Sequence, residues 1–197
     1  MRNVLLTGIG GQGTVLAAKL LAQAAQARGW QVRTAETIGM AQRGGSVVSH
    51  VRMGDAGENV EAPLLNQGTA QLIVAFEPGE AARCLPFLAP GGTVVTATTA
   101  VQPITAALSG SGYSSQGAVE GLRAALEGTQ AQLVVVDDAA LVAATGNRKA
   151  LNVMLLARAL STGCLPLTLD DLRSAVRACV KPRFVDMNLA AIDTAVA

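Results

Sequence analysis

Aromatic residues are scarce in this chain. There are three Phe, one Trp and one Tyr in 197 residues. With so few stacking platforms, fifteen Lys and Arg scattered without a stripe, and a net charge of +1, nucleic-acid binding is not expected. Cysteine is sparse too. Cys84, Cys164 and Cys179 are widely spaced and form no C-x-x-C pair, so neither an iron–sulfur cluster nor a structural zinc site is supported. They read as reduced thiols of a cytoplasmic protein. The single histidine, His50, cannot supply the usual pair of metal-ligating imidazoles. No Gly-Lys pair completes a phosphate-binding Walker sequence, and no G-x-S-x-G elbow signals a serine nucleophile. No apolar run approaches the roughly 18 residues of a membrane span. Glycines interrupt the first apolar stretch too early for a signal-peptide core, and it reads as a strand.

What is present is a globular composition, half hydrophobic and 15% charged. The length suits one domain, with no repeats and no linker. Strands are expected at Asn3–Thr7, Gln31–Ala35, Val47–Arg52, Gln71–Ala75, Thr93–Ala97 and Leu133–Val136. Helices are expected at Gln12–Arg28, stopped by Gly29, then after Pro78 and over Gly117–Leu126. The C-terminal third reads as helices at Ala139–Thr145, Arg148–Leu160, Thr168–Val180 and Arg183–Ala195. The third of these opens on T-x-x-D, a capping box with Asp171 in the usual Glu position. The expected fold is a single Rossmann-like α/β domain over residues 1–197, with a mostly parallel sheet and a helical C-terminal third.

Two glycine clusters stand out. The first, Gly8-Ile9-Gly10-Gly11-Gln12-Gly13, joins a strand to a helix and fits G-x-G-x-x-G. Glycines there permit a tight turn and close backbone approach, and the free N–H groups of a helix start attract an anion. Glu36, near the end of the second strand, stands where a ribose hydroxyl acceptor would be expected. The motif alone leaves three readings open: a dinucleotide, another anionic group, or a packing turn without ligand. The second cluster, "GMAQRGGSVVSHVR", sets Arg43 on a flexible backbone beside Gln42 and Ser46. A guanidinium fork suits a phosphate or carboxylate, and Met40 and Arg43 also suit a subunit interface. Both clusters are expected at the carboxyl edge of the sheet, where ligand crevices form. His50 reads as a packed imidazole, Asp137 and Asp138 as helix caps, and Asn147 and Asn152 as partners of backbone groups at a helix start. No nucleophile–base pair or acid/base dyad is evident, so the chain is not expected to be catalytic alone.

The stretches "GIGGQGTVLAAKLL", "ETIGMAQRGGSVVSHVRMG", "FEPGEAARCLPFLAPGGTVV", "GNRKALNVMLLARAL" and "VKPRFVDMNLAAID" together resemble the small subunit of 2-oxoacid:ferredoxin oxidoreductases, of the indolepyruvate kind. The resemblance covers nearly the whole chain. It implies a gamma-type α/β domain in an enzyme that oxidatively decarboxylates an arylpyruvate, passes the acyl group to coenzyme A and reduces ferredoxin. It further implies that thiamine diphosphate and iron–sulfur clusters sit on a large partner subunit. A subunit isolated from that partner is open to homodimerisation through the patch left exposed. It assigns no catalytic residue. The positions it carries are Gly8, Gly10, Gly11, Gln12, Gly13, Glu36, Met40, Gln42, Arg43, Gly44, Gly45, Ser46, Ser49 and Arg52, as loops facing a ligand or a subunit. A stand-alone NAD-binding protein and a purely structural subunit are the alternatives.

Overall fold

A computed structural model describes residues 1–39, 45–102 and 112–197. Six strands form one sheet: β1 (Arg2–Ile9), β2 (Gln31–Ile38), β3 (Ser46–Gly54), β4 (Ala70–Ala75), β5 (Leu88–Ala97) and β6 (Gln132–Val136). Their spatial order is β2-β3-β1-β4-β5-β6. Strands β1, β4, β5 and β6 pair in parallel, whereas β3 runs antiparallel to both β1 and β2. The mostly parallel sheet expected from the sequence is therefore present, with one reversed strand wedged between the first two.

Helices cover both faces. Along β1, Val4 and Leu6 point to one face, and Leu5 to the other. The first face packs against α1 (Thr14–Ala27) and the C-terminal helices α5 (Leu151–Ser161), α6 (Leu169–Cys179) and α7 (Val185–Val196). The second, smaller face packs against α2 (Pro78–Cys84) and α3 (Ser115–Leu126), chiefly through Ala81, Cys84 and Leu122. Burial on both sides is why "NVLLT" and "QLIVA" read as unbroken apolar runs rather than alternating ones. A further helix, α4 (Asp138–Thr145), follows β6 directly.

Local chemistry sets the helix ends. Asp137 caps α4 by accepting from the Ala140 N–H at 2.9 Å. Thr168 and Asp171 form both halves of a capping box on α6, so the shorter Asp serves as well as Glu in closing it. Two expected helices start later than the pattern implies. Arg148–Ala150 and Pro182–Phe184 are 3-10 turns that lead into α5 and α7. Strand β5 starts earlier than expected, at Leu88. Its "APGG" segment stays in the strand, and the register with β4 shifts between Ala70 and Leu72. Among the described residues no helix is long and apolar enough to cross a membrane.

Candidate functional site: the glycine loop and its cationic cavity

The first glycine cluster closes on itself through one side chain. Gln12 accepts from the Ile9 N–H at 2.7 Å and donates to the Phe76 carbonyl at 3.0 Å. Its amide thus ties the loop to the end of β4. Gly8 is required beneath it, because a Cβ there would lie 2.7 Å from Gln12 Oε1 and 3.1 Å from Phe76 Cβ. Gly13 takes φ +85°, and a Cβ on it would lie 2.7 Å from Asn152 Nδ2. Gly11 takes φ +99° and faces open space.

Helix α1 starts at Gly13 without a side-chain cap and without an acidic residue in its first turn. Its first amides therefore present uncompensated positive character. They open on a cavity of about 350 Å³, lined by Gly11, Gly13, Leu16, Arg148, Lys149 and Asn152 among others. Arg148 and Lys149 belong to the 3-10 turn before α5, where the Asn147 side chain accepts from the Lys149 N–H at 2.9 Å. Both cations are exposed and neither pairs with a carboxylate among the described residues. The buried Asn152 reaches the Gly13 carbonyl at 3.4 Å and so joins the two walls. A helix N-terminus flanked by two cations is suited to a phosphate-bearing ligand.

The remaining sequence-derived positions divide into three groups. Gly45 and Ser46 join the loop: the Gly10 N–H donates to the Gly45 carbonyl at 2.9 Å, and Ser46 Oγ donates to Glu80 Oε2 at 2.6 Å. Met40, Gln42, Arg43 and Gly44 lie outside the described residues. Glu36, Ser49 and Arg52 lie elsewhere. Ser49 is fully buried in the sheet, in register with Leu6 on one side and Glu36 on the other. Because β3 intervenes, Glu36 stands two strands from β1, about 10 Å away at ordinary strand spacing. That displaces it from the ribose position which a direct β1–β2 neighbourhood would provide. Arg52 pairs in register with Asn3 near the opposite edge of the sheet, and donates to the Ala62 carbonyl at 2.8 Å.

His50 is a packed imidazole, as its strand context implied. Its Nδ1 accepts from the Leu65 N–H at 3.2 Å, its ring meets Phe87 edge-on at 5.8 Å, and burial lowers its pKa below the ordinary value. The three cysteines are free, with Cys84 buried and its thiol pKa raised chiefly by that burial. Among the described residues no group of three His, Cys, Asp or Glu is placed to hold a metal ion.

A further set of polar groups gathers at the same edge without a motif of its own. Asp138, only 1% exposed, does more than begin a helix. Its Oδ1 accepts from Thr98 N–H and Oγ at 3.0 Å and from Thr99 N–H at 2.8 Å. Glu77 and Glu80 are buried at the start of α2, where Glu77 Oε2 accepts from the Glu80 N–H at 2.8 Å. The detectable signals were the acid pair in "FEPGE" and the cation pair in "GNRKALN", both inside the stretches that carried the resemblance.

An α/β domain with a glycine loop and a cationic cavity at the carboxyl edge defines a broad class of ligand-binding and subunit folds. The family model for pyruvate ferredoxin/flavodoxin oxidoreductase matches residues 3–197, and the chain belongs to that family. It is 34% identical over 194 residues to the indolepyruvate oxidoreductase subunit IorB of Pyrococcus horikoshii, covering 98% of this chain and 94% of that one. The same-named subunit of Archaeoglobus fulgidus is 33% identical over 190 residues, covering 96% and 91%. Among solved structures, the gamma subunit of keto/oxoacid ferredoxin oxidoreductase from Geobacter sulfurreducens superposes with a TM-score of 0.69 at 20% identity, covering 99% of this chain and 96% of that one. A 2-oxoglutarate:ferredoxin oxidoreductase from Magnetococcus marinus, solved with 2-oxoglutarate, coenzyme A and succinyl-CoA bound, superposes with a TM-score of 0.70 at 18% identity over 99% of this chain and 30% of that one.

Proposed function

We propose that this chain is the accessory small subunit of an indolepyruvate, or more broadly arylpyruvate, ferredoxin oxidoreductase. It acts in the cytoplasm, assembled with a large subunit that carries thiamine diphosphate and iron–sulfur clusters. In the assembled enzyme the thiamine diphosphate supplies the decarboxylation chemistry, the clusters carry electrons to ferredoxin, and coenzyme A takes the acyl group. The observation that carries this reading is the likeness to indolepyruvate oxidoreductase subunits along almost the entire chain.

This chain's own contribution is binding and orientation. The cavity at the α1 N-terminus receives phosphate groups of coenzyme A. The first-turn amides donate to the phosphate oxygens, and Arg148 and Lys149 neutralise their charge. Asn152 holds Gly13 in place against α5. In this role the two cations hold the phosphate end of coenzyme A and not its thiol, so their loss weakens binding of the cosubstrate rather than the chemical step.

The competing reading, a stand-alone NAD-binding protein, loses its ribose acceptor when β3 displaces Glu36 from the glycine strand. Calorimetric titration of the full chain and of the assembled enzyme separates the two. The proposal expects coenzyme A to bind, and the Arg148→Ala/Lys149→Ala double variant to bind it about tenfold more weakly, with a shallower salt dependence. Micromolar binding of NAD without binding of coenzyme A would overturn it.

A further inference from the structure

Glu77 is 2% exposed, caps α2, and has no part in the cavity chemistry above. One of its oxygens nonetheless serves two distant points of the chain. Glu77 Oε1 accepts from the Val101 N–H at 3.3 Å and from the Tyr113 hydroxyl at 2.5 Å. Val101 lies shortly after β5 and Tyr113 shortly before α3. The contact with Tyr113 is built into the backbone, since a Cβ on Gly79 would collide with the Tyr113 hydroxyl. The residue before Glu77 is Phe76, whose carbonyl holds Gln12 and whose N–H donates to the Thr7 carbonyl at 2.8 Å. One short turn therefore grips Val101 and Tyr113 on one side and the glycine loop on the other.

We propose that Glu77 is a positioning residue for this edge of the sheet. Its carboxylate fixes Val101 and Tyr113 to the turn that holds the glycine loop, so that ligand affinity at the loop depends on the Glu77–Tyr113 bond. This dependence of affinity rests on the glycine-loop cavity being the ligand site, as proposed above. A carboxylate accepting charge-assisted hydrogen bonds in a buried place holds its partners more firmly than a neutral acceptor does. Linkage is reciprocal, so a ligand that orders the loop also tightens the Tyr113 contact.

Tyr113 is the single tyrosine of the chain, which makes it a spectroscopic probe. Burial, then the hydrogen bond to and charge of Glu77, raise its phenol pKa above the ordinary value. Tyrosinate absorbance of the full chain is titrated for the wild type and for Glu77→Gln. The transition is expected to move to lower pH in the variant, with burial still holding it above the ordinary phenol value, and coincident curves would overturn the contact. Amide hydrogen exchange is then compared for the wild type and Tyr113→Phe, which removes one hydroxyl and keeps the ring. The amides of Gly10, Gln12 and Phe76 are expected to exchange about threefold faster in the variant. A change confined to residues 100–102 and 112–115 would mean a local structural role and would overturn the proposal. Calorimetry with coenzyme A completes the test, with Tyr113→Phe expected to bind about fivefold more weakly. If the wild type itself binds no coenzyme A, the functional reading fails, and the exchange at Gly10 and Gln12 alone decides the role of Glu77.

Discussion

The Gln12 side chain and the Phe76 carbonyl meet at 3.0 Å, and through that bond the glycine loop is fastened to the end of β4. The same amide accepts from Ile9 N–H at 2.7 Å, so both of its polar ends are used inside the protein. A residue that the G-x-G-x-x-G pattern leaves free is therefore the one that closes the loop. Gln12→Ala orphans the Ile9 N–H and the Phe76 carbonyl, and is expected to cost about 1–3 kcal/mol in a chemical denaturation experiment. Gln12→Glu keeps the acceptor for Ile9 but sets a carboxylate oxygen against the Phe76 carbonyl, so it is expected to be destabilising as well.

The two positive-φ glycines of the loop differ in their surroundings. Gly11→Ala meets nothing within 4 Å and carries only the left-handed backbone penalty, about 1–2 kcal/mol. Gly13→Ala has the same backbone penalty and also drives a methyl group into Asn152, so it is expected to cost more than Gly11→Ala. Paired thermal melts of the two variants test this order. Equal melting temperatures would show that Asn152 gives way without cost.

Much of the fold was legible because strands buried on both faces and helices with clear caps leave strong local patterns. "NVLLT", "QLIVA" and "LVVV" all fall inside parallel strands, and Gly29 follows α1 at φ +78°. The insertion of β3 between β1 and β2 was not legible, because strand order depends on pairing between distant segments and not on local periodicity. That one topological fact moves Glu36 away from the loop. Because β3 also runs antiparallel to β1, Arg52, two residues before the end of β3, lies near the opposite edge of the sheet. That Arg148 and Lys149 line the cavity beside the loop is not legible either, because they come from a turn more than 130 positions after Gly13, and only tertiary packing of α5 on α1 brings them there.

Asp138 holds the exit of β5 by accepting from Thr98 and Thr99 while its own residue is almost wholly buried. Asp138→Ala removes the acceptor of the Thr99 N–H and the Thr98 hydroxyl, while the Thr98 N–H keeps the Val136 carbonyl at 3.0 Å, and is expected to cost about 1–3 kcal/mol. Asp138→Asn retains one carbonyl acceptor and is expected to fall between Ala and the wild type. Denaturant midpoints for the three proteins give the comparison.

His50 predicts a pH effect on stability whose sign follows from burial. Its folded pKa lies below the unfolded value, so unfolding takes up a proton as the pH falls. The stabilisation is fully present above about 6.5 and is lost as pH drops through the folded pKa. Unfolding free energies measured from pH 8 down to pH 5 are expected to decline in the wild type below about 6.5. His50→Gln is expected to decline less over that interval while being less stable at pH 8, since the packing against Phe87 is altered.

The most direct measurement is 2-oxoacid-dependent, coenzyme A-dependent reduction of ferredoxin by the large subunit of an indolepyruvate oxidoreductase, assayed with and without this chain. The two chains are expected to copurify, and turnover with indolepyruvate to need both, with this chain inactive alone. Copurification failing, or turnover by the large subunit being the same in its absence, would contradict the accessory-subunit role.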